Sequence, residues 1–110
     1  MRHQTMIERY YRSFRERDRA ALEELLAPDF HHVSSYGEHF NRDQMLDAIW
    51  PAVGRSWARK LHIMGATPEF MVRYEIESPD RPVIRMAEYV RFDGDRIAEI
   101  EVYIGRALPA

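Results

Sequence analysis

Apolar residues recur at two different spacings along this chain, and the change of spacing divides it into two parts. Up to about residue 54 they recur every three or four positions, the repeat of a helix that buries one face. From Trp57 onward they recur at every second position, the repeat of a half-buried strand. The pattern therefore predicts an α+β domain, with early helices packed on one face of an antiparallel sheet made by later strands.

Two helices are predicted at the start, each with a capping signal at its beginning. Thr5 and Glu8 have the spacing of a capping box, in which each side chain bonds the other's free backbone N–H, and this first helix runs to about Arg17. Asp18 can cap a second, shorter helix, which Pro28 helps to end.

A strand over residues 30–37 separates the second helix from a third, because the segment FHHVSSYG is aromatic and β-branched. Asn41 and Gln44 repeat the capping pattern at the start of the third helix, and Pro51 and Gly54 end it. Four more strands are predicted near residues 57–66, 69–77, 82–92 and 96–104.

Glu88 interrupts the clearest alternating pattern in the chain, RMAEYVRFDGDRIAEIEVYIG. The other even positions of this segment are apolar: Met86, Val90, Phe92, Ala98, Ile100, Val102 and Ile104. An unpaired carboxylate on a core-facing strand costs on the order of several kcal/mol. Glu88 is therefore either a carboxyl group of a pocket or the partner of an arginine such as Arg59 or Arg73.

The same pattern restricts how the last two strands pair. The apolar residues have even numbers on both strands and must lie on the same face of the sheet, so even-numbered residues must pair with even-numbered residues. The two residue numbers of any directly opposed pair therefore have an even sum. A two-residue turn at Asp93-Gly94 would give an odd sum, so the connection needs an odd loop or a bulge. Pairing residue 92 with residue 96 meets the condition and places Glu88 opposite Ile100.

Length and composition narrow the class of protein. The 110 residues suffice for one core, so residues 1–110 are interpreted as a single domain. The formal net charge is −2, and the sequence has no basic stripe of the kind that binds a phosphate backbone. No nucleic-acid partner is therefore expected. No apolar run reaches the roughly 18 residues of a membrane span, and the start lacks the apolar segment of a signal peptide. Disulfides are excluded by the absence of cysteine, and a cytoplasmic location without membrane contact is expected.

The order of elements, with ERYYRSFRERDRAALEELLAPDF near the start and YVRFDGDRIAEIEVYIG at the end, resembles the NTF2-like superfamily. Its SnoaL-like and ketosteroid-isomerase-like branch is the most similar. The resemblance implies a strongly curved antiparallel sheet that wraps around three N-terminal helices and forms a cone with a pocket at its open end. It also implies a homodimer through the outer sheet face. Members include ketosteroid isomerases, polyketide cyclases, epoxide hydrolases and dehydratases, as well as binding modules without chemistry.

The resemblance also implies roles for individual residues. Tyr10 falls where the isomerases have the tyrosine of their oxyanion hole, and Tyr11 could take its place if the helix were rotated. Glu88 falls where they have a carboxylic acid that stays neutral and donates a hydrogen bond. Their general-base aspartate aligns with Ser34, which cannot take a proton from a carbon acid unaided. His32 shares a strand face with Ser34 and is the best substitute for that base.

The pocket of such a fold needs a largely apolar wall. Trp50, Trp57 and Met86 are large side chains that suit either a cavity wall or a core. The residues predicted to line the pocket are Phe14, Ser34, Tyr36, Trp50, Trp57, Met86, Val90, Ile100 and Val102.

Five histidines raise the question of a metal site. His31 and His32 are neighbours on a strand and point apart, while His3, His39 and His62 lack the spacing of metal ligands. No metal and no other cofactor is therefore predicted.

Two classes of function remain open. In the first, Tyr10 and a protonated Glu88 donate hydrogen bonds to an oxygen atom of a small apolar compound while His32 moves a proton. The reaction would be an isomerisation, cyclisation, dehydration or epoxide hydrolysis. In the second, the chain is a non-catalytic ligand-binding or dimerisation module of the same fold. The polar residues favour the first class, and Ser34 at the position of the base favours the second.

Overall fold

The computed structural model describes residues 2–107, and its side chains up to Ile104. Within this range the helices are α1 (Arg2–Arg15), α2 (Arg19–Leu25) and α3 (Arg42–Ile49), followed by one 3₁₀ turn (Trp50–Ala52). The strands are β1 (Leu26–Val33), β2 (His39–Asn41), β3 (Trp57–Ala66), β4 (Glu69–Ser78), β5 (Arg81–Asp93) and β6 (Arg96–Ala107). No helix of the described part is long and apolar enough to cross a membrane.

The six strands form one mixed sheet in the order β2-β1-β6-β5-β4-β3. Every neighbouring pair is antiparallel except β1 and β6, which run parallel. The core lies between the helices and the even-numbered face of β4 and β5. Its fully buried side chains include Ile7, Leu22, Leu26, Phe30, Met45, Leu46, Val72, Val90, Ile97 and Ile100. The α+β prediction and its four late strands are confirmed.

Two of the three predicted helix caps are present. The Asp18 carboxylate accepts a hydrogen bond from the backbone N–H of Ala21 at 3.1 Å. Asn41 and Gln44 form a complete capping box, with both hydrogen bonds at 2.9 Å. The capping box predicted at Thr5 is wrong, because α1 begins three residues earlier, at Arg2.

His3 accounts for this early start, since it fastens the first turn of α1 to the sheet. Its ring is buried and stacks on Phe92, with 3.9 Å between centroids. Nε2 lies 2.8 Å from the carbonyl oxygen of Gly94, and Nδ1 lies 3.0 Å from Oγ1 of Thr67. The ring can satisfy both contacts as the neutral tautomer that donates from Nε2 and accepts at Nδ1. These contacts are long-range in sequence, so no local pattern predicts them.

The predicted start of β1 also differs from the start that the structure shows. This strand begins at Leu26, before Pro28, rather than at residue 30, and residues 34–37 form a turn instead of its end. Ser34 causes the turn: its Oγ accepts backbone N–H groups from Tyr36 at 3.2 Å and Glu38 at 3.1 Å. The chain then returns as β2, a strand of three residues that the sequence did not predict.

The pairing of β5 with β6 corrects the predicted register. Asp93 pairs with Arg96 across a two-residue turn, and a register shift follows between Arg91 and Phe92. The connection therefore contains a bulge, one of the two alternatives that the pattern allowed, and the pairing of residues 92 and 96 is wrong. The bulge moves β6 by two positions relative to that prediction, so Glu88 lies opposite Val102 rather than Ile100.

The outer face of the sheet carries charged residues and some exposed apolar ones. Arg91 and Glu99 form a cross-strand ion pair at 3.2 Å. Met64, Met71 and Tyr103 on this face are 43%, 37% and 53% exposed. The homodimer expected at this face stays a prediction.

If His3 fastens α1 to the sheet, its removal should be costly. We expect His3→Ala to lower the free energy of unfolding by about 2–3 kcal/mol, because the stacking of a buried ring and two partly buried hydrogen bonds are lost. Urea unfolding followed by circular dichroism measures the loss. His62→Ala, on exposed strand β3, is the control and should change stability by less than about 0.5 kcal/mol. Equal effects of the two variants would contradict this role of His3.

Candidate functional site

The helices and the inner face of the sheet enclose a cavity of about 460 Å³, a size suited to a small molecule. Most of its wall is apolar and comes from Phe14, Phe40, Met45, Ile49, Val53, Trp57, Ala58, Ile76, Met86 and Val102. The polar groups on the wall belong to Tyr10, Tyr11, Arg15, His32, Ser34, Ser35, Tyr36, Glu38, Ser56, Tyr74 and Glu88.

Glu88 lies on the inner face of β5 and is 7% exposed. The hydroxyl of Tyr11, from α1, donates a hydrogen bond to its Oε1. The hydroxyl of Tyr74, from the neighbouring strand β4, donates to its Oε2 at 2.8 Å. One carboxyl group thus joins the first helix to two strands, at a point where all three side chains reach the cavity.

The predicted alternative, an ion pair between Glu88 and an arginine such as Arg59 or Arg73, is not found among the described residues. Arg59 bonds Glu75 at 3.1 Å and also Glu77, and Arg73 is exposed. Burial without a cation raises the pKa of Glu88 above its usual value, while the two tyrosine hydroxyls act in the opposite direction and offset only part of the rise. Glu88 therefore holds its proton at higher pH than an exposed glutamate does.

Burial also keeps the surrounding tyrosines protonated. The pKa values of Tyr10, Tyr11 and Tyr74 are raised well above normal, first by burial and second by the charge that Glu88 carries when ionised. All three side chains are consequently neutral hydrogen-bond donors at neutral pH.

The sequence left open whether Tyr10 or Tyr11 reaches Glu88, and the two tyrosines have different positions in the structure. Tyr11 donates to Glu88, as the rotated-helix alternative allowed. Tyr10 lies on the cavity wall with its ring edge-on to Tyr11 and Phe14, at 5.2 and 4.9 Å between centroids. Among the described residues its hydroxyl has no hydrogen-bond partner. Tyr74 was missed, although its even position in a predicted strand was a signal that it shares the face of Glu88.

His32 lies on the same sheet face as Glu88, but further away than a hydrogen bond reaches. It pairs with Ile100, which pairs with Val90, and Glu88 lies two residues along that strand. With about 4.8 Å between strands and 3.3 Å per residue, the two Cα atoms lie about 12 Å apart. The two side chains would therefore meet different atoms of one ligand.

The surroundings of His32 keep its ring neutral. Burial, with a smaller effect of the neighbouring His31, lowers the pKa of His32 to about 4. Among the described residues its Nδ1 is buried without a hydrogen-bond partner. A neutral imidazole at this position can accept a proton, with about the basicity of an ordinary carboxylate.

Ser34, which aligns with the base of the isomerases, is occupied by the turn between β1 and β2. Its Oγ accepts the two backbone N–H groups described above and lies 3.3 Å from Oε1 of Glu38, to which it donates. The side chain lies on the cavity wall, but its local hydrogen bonds indicate a structural role.

Most of the residues predicted to line the pocket lie on the cavity wall: Phe14, Ser34, Tyr36, Trp57, Met86 and Val102. Tyr36 is 85% exposed and can lie only at the mouth. Three do not lie on the wall. Val90 and Ile100 pair with each other in the closed core, and Trp50 packs under Arg19 at a separate surface depression.

Two of the histidines form a contact that their spacing in the sequence did not indicate. His31 and His39 hydrogen-bond across the β1–β2 hairpin, with 2.7 Å between Nε2 and Nδ1. Within the described residues, no group of three or more histidine, aspartate or glutamate side chains is arranged to hold a metal ion.

With this geometry in place, comparison with known proteins assigns the family. The family model of the SnoaL-like domain matches residues 7–100, and the chain belongs to this family. No protein of curated function matches the chain in sequence.

Several solved structures share the fold. One is provisionally described as a ketosteroid isomerase from Kribbella flavida, with a TM-score of 0.86, 13% identity, and coverage of 99% of this chain and 82% of that one. Another, provisionally described as a polyketide cyclase from Xanthomonas campestris, has a TM-score of 0.81, 16% identity, and coverage of 94% and 90%. An NTF2-like protein of unknown function from Mesorhizobium loti has a TM-score of 0.81, 20% identity, and coverage of 96% and 92%. At these identities the likeness establishes the NTF2-like fold and no particular activity.

The hydrogen bonds to Glu88 can be tested one hydroxyl at a time. Tyr11→Phe and Tyr74→Phe should each raise the pKa of Glu88 further, because each removes a donor that stabilises the carboxylate. The titration can be followed by the carboxyl band in infrared difference spectra, with Glu88→Gln as the blank. Tyr10→Phe removes a neighbouring hydroxyl that does not bond Glu88, and should shift the titration less. A lowered pKa in the Tyr11 and Tyr74 variants would contradict the arrangement.

Proposed function

We propose that the cavity binds a small, largely apolar molecule that carries an oxygen function, and that Glu88 in its acid form donates a hydrogen bond to that oxygen. The observation that carries this proposal is a buried carboxyl group that has no cationic partner among the described residues, in a cavity whose wall is mostly apolar. A group that costs stability in this way is typical of a binding or catalytic site.

The arrangement supports general acid chemistry. A protonated carboxyl group has one donor, and both of its oxygens can still accept hydrogen bonds. Tyr11 and Tyr74 take up those acceptor positions, so the proton of Glu88 remains available to a ligand. The free hydroxyl of Tyr10 is a second donor on the same wall. Two donors aimed at one ligand oxygen would stabilise negative charge that develops there during reaction.

His32 is the proton acceptor in this proposal. Its neutral ring meets the cavity about two strands from Glu88, so it would take a proton from a different ligand atom than the one Glu88 contacts. Isomerisation, cyclisation, dehydration and epoxide hydrolysis all combine proton removal at one atom with charge development at another. We propose an enzyme of this kind, working without a cofactor.

A non-catalytic binding module is the second candidate, and Ser34 favours it. The residue that aligns with the base of the isomerases serves a turn, and His32 is a weaker base than an exposed histidine. Such a module would use the same cavity and the same hydrogen bonds to hold its ligand. A homodimer through the outer face, with its exposed Met64, Met71 and Tyr103, is compatible with both candidates.

An apolar fluorescent probe tests whether the cavity takes a ligand. We expect N-phenyl-1-naphthylamine to bind the protein with a rise in fluorescence. Val102→Phe, which adds bulk to the cavity wall, should weaken binding by about tenfold or more. Met64→Phe adds a similar ring on the outer face and should leave binding unchanged. Absence of binding to the natural protein would contradict the proposed function.

Turnover separates the enzyme from the binding module. Conversion of a β,γ-unsaturated ketone to its conjugated isomer can be followed by ultraviolet absorbance. In the enzyme, His32→Phe should lower the rate by about 100-fold or more while probe binding remains, because proton transfer is lost. Probe binding without any turnover of this or related carbonyl and epoxide compounds would favour the binding module.

A further inference from the structure

Arg15 is a charged side chain on the cavity wall that the proposed chemistry does not use. It lies in the last turn of α1, four residues after Tyr11, so the two side chains leave the helix on the same face. Tyr11 reaches Glu88, whereas Arg15 is exposed. The helix therefore presents a buried acid cluster at one end of the cavity and a cation nearer to solvent, about 6 Å further along its axis.

The guanidinium of Arg15 lies beside an aromatic ring and has no anionic partner among the described residues. It lies over the ring of Trp57, another residue of the wall, with 5.7 Å from Cζ to the ring centroid. Within the described residues Arg15 forms neither a hydrogen bond nor an ion pair. Several other arginines form ion pairs with carboxylates: Arg2, Arg19, Arg42, Arg59 and Arg91.

This placement suits the recognition of a carboxylate. A guanidinium beside an aromatic ring still has N–H groups that the ring does not use, and two of them can bond both oxygens of a carboxylate at once. The acidic residues on the wall are Glu38, which accepts a hydrogen bond from Ser34, and Glu88, whose pKa is raised by burial. An anionic group beside Arg15 thus gains an attractive partner and meets little repulsion from the interior of the cavity.

We propose that the ligand of this cavity is an apolar carboxylic acid whose carboxylate is bound by Arg15 at the mouth. This inference rests on the proposed function, because the apolar body of the acid fills the cavity between Arg15 and the Glu88 cluster. The second oxygen function of the ligand, which meets Glu88 and Tyr10, lies at least about one helical turn from the carboxylate. Oxo acids and hydroxy acids with a cyclic or branched apolar body fit this description.

Two matched compounds test the charge requirement. Naphthalene-2-carboxylate and naphthalene-2-carboxamide have the same apolar body and nearly the same shape, and differ in charge. Each is used to displace N-phenyl-1-naphthylamine from the protein at neutral pH. We expect the carboxylate to displace the probe at about five- to tenfold lower concentration than the carboxamide, as befits a charge-assisted hydrogen bond near solvent. Added salt should reduce this preference.

Two arginine variants assign the preference to one side chain. Arg15→Gln should abolish the preference for the carboxylate and leave the affinity of the carboxamide within about twofold, since only the charged contact is lost. Arg12→Gln changes an exposed arginine of the same helix that does not lie on the cavity wall, and should preserve the preference. Circular dichroism verifies that both variants are folded.

Three results would overturn the inference, and they are distinguishable. Equal displacement by the two compounds in the natural protein, or an equal loss of both in Arg15→Gln, rejects carboxylate recognition while the proposed function stands. The second result would mean that Arg15 only covers Trp57. Failure of N-phenyl-1-naphthylamine to bind the natural protein rejects the inference together with the proposed function on which it rests.

Discussion

The hydrogen bonds from Tyr11 and Tyr74 to Glu88 are the interaction on which the rest of this structure depends. An acidic group on the inner face of a sheet is tolerated only if it is neutral, paired or hydrogen-bonded. Here no described side chain supplies a cation, and two hydroxyls from different elements bond the carboxyl group. This requirement sets how closely α1 approaches β4 and β5. The cavity lies beside this cluster, and all three side chains reach its wall.

The same interaction links the fold to chemistry. Burial raises the pKa of Glu88, and the two tyrosines offset part of that rise without supplying a positive charge. In its acid form Glu88 has a proton to donate inside a largely apolar cavity. A protein selected for stability alone would gain by an apolar residue at this position, so the cluster is evidence that the cavity has a use.

Much of the architecture could be predicted from local patterns, because those patterns are caused by local physics. Alternating apolar positions placed β3 to β6 within a few residues, and the side chains of Asp18 and Asn41 start their helices as expected. The errors arose where distant residues decide. His3 extends α1 by bonding a turn some 90 residues away, and β2 is too short to carry a pattern of its own.

The candidate site shows the same limit. Alternation identified Glu88 as anomalous, but whether Tyr10 or Tyr11 reaches it depends on the rotation of α1, which one helix repeat cannot specify. Tyr74 becomes its partner through the register of β4 against β5. Val90 and Ile100 were placed on the wall because alternation identifies the inner face of a strand, whereas packing decides which part of that face closes into the core. The sequence shows which side chains can act as acids, bases or hydrogen-bond donors, whereas the distances between these side chains are set by packing.

The most direct test of this account is the stability of the natural protein relative to Glu88→Gln between pH 4 and pH 8. A folded pKa raised above the unfolded value of about 4.3 gives Glu88 a stabilising contribution that is complete below that pH. The contribution is then lost as the pH rises through the folded pKa. The natural protein should therefore lose stability relative to Glu88→Gln, with a slope that approaches about 1.4 kcal/mol per pH unit. An advantage of the natural protein that persists at neutral pH and disappears only on acidification would show a charged, stabilised carboxylate and contradict the account.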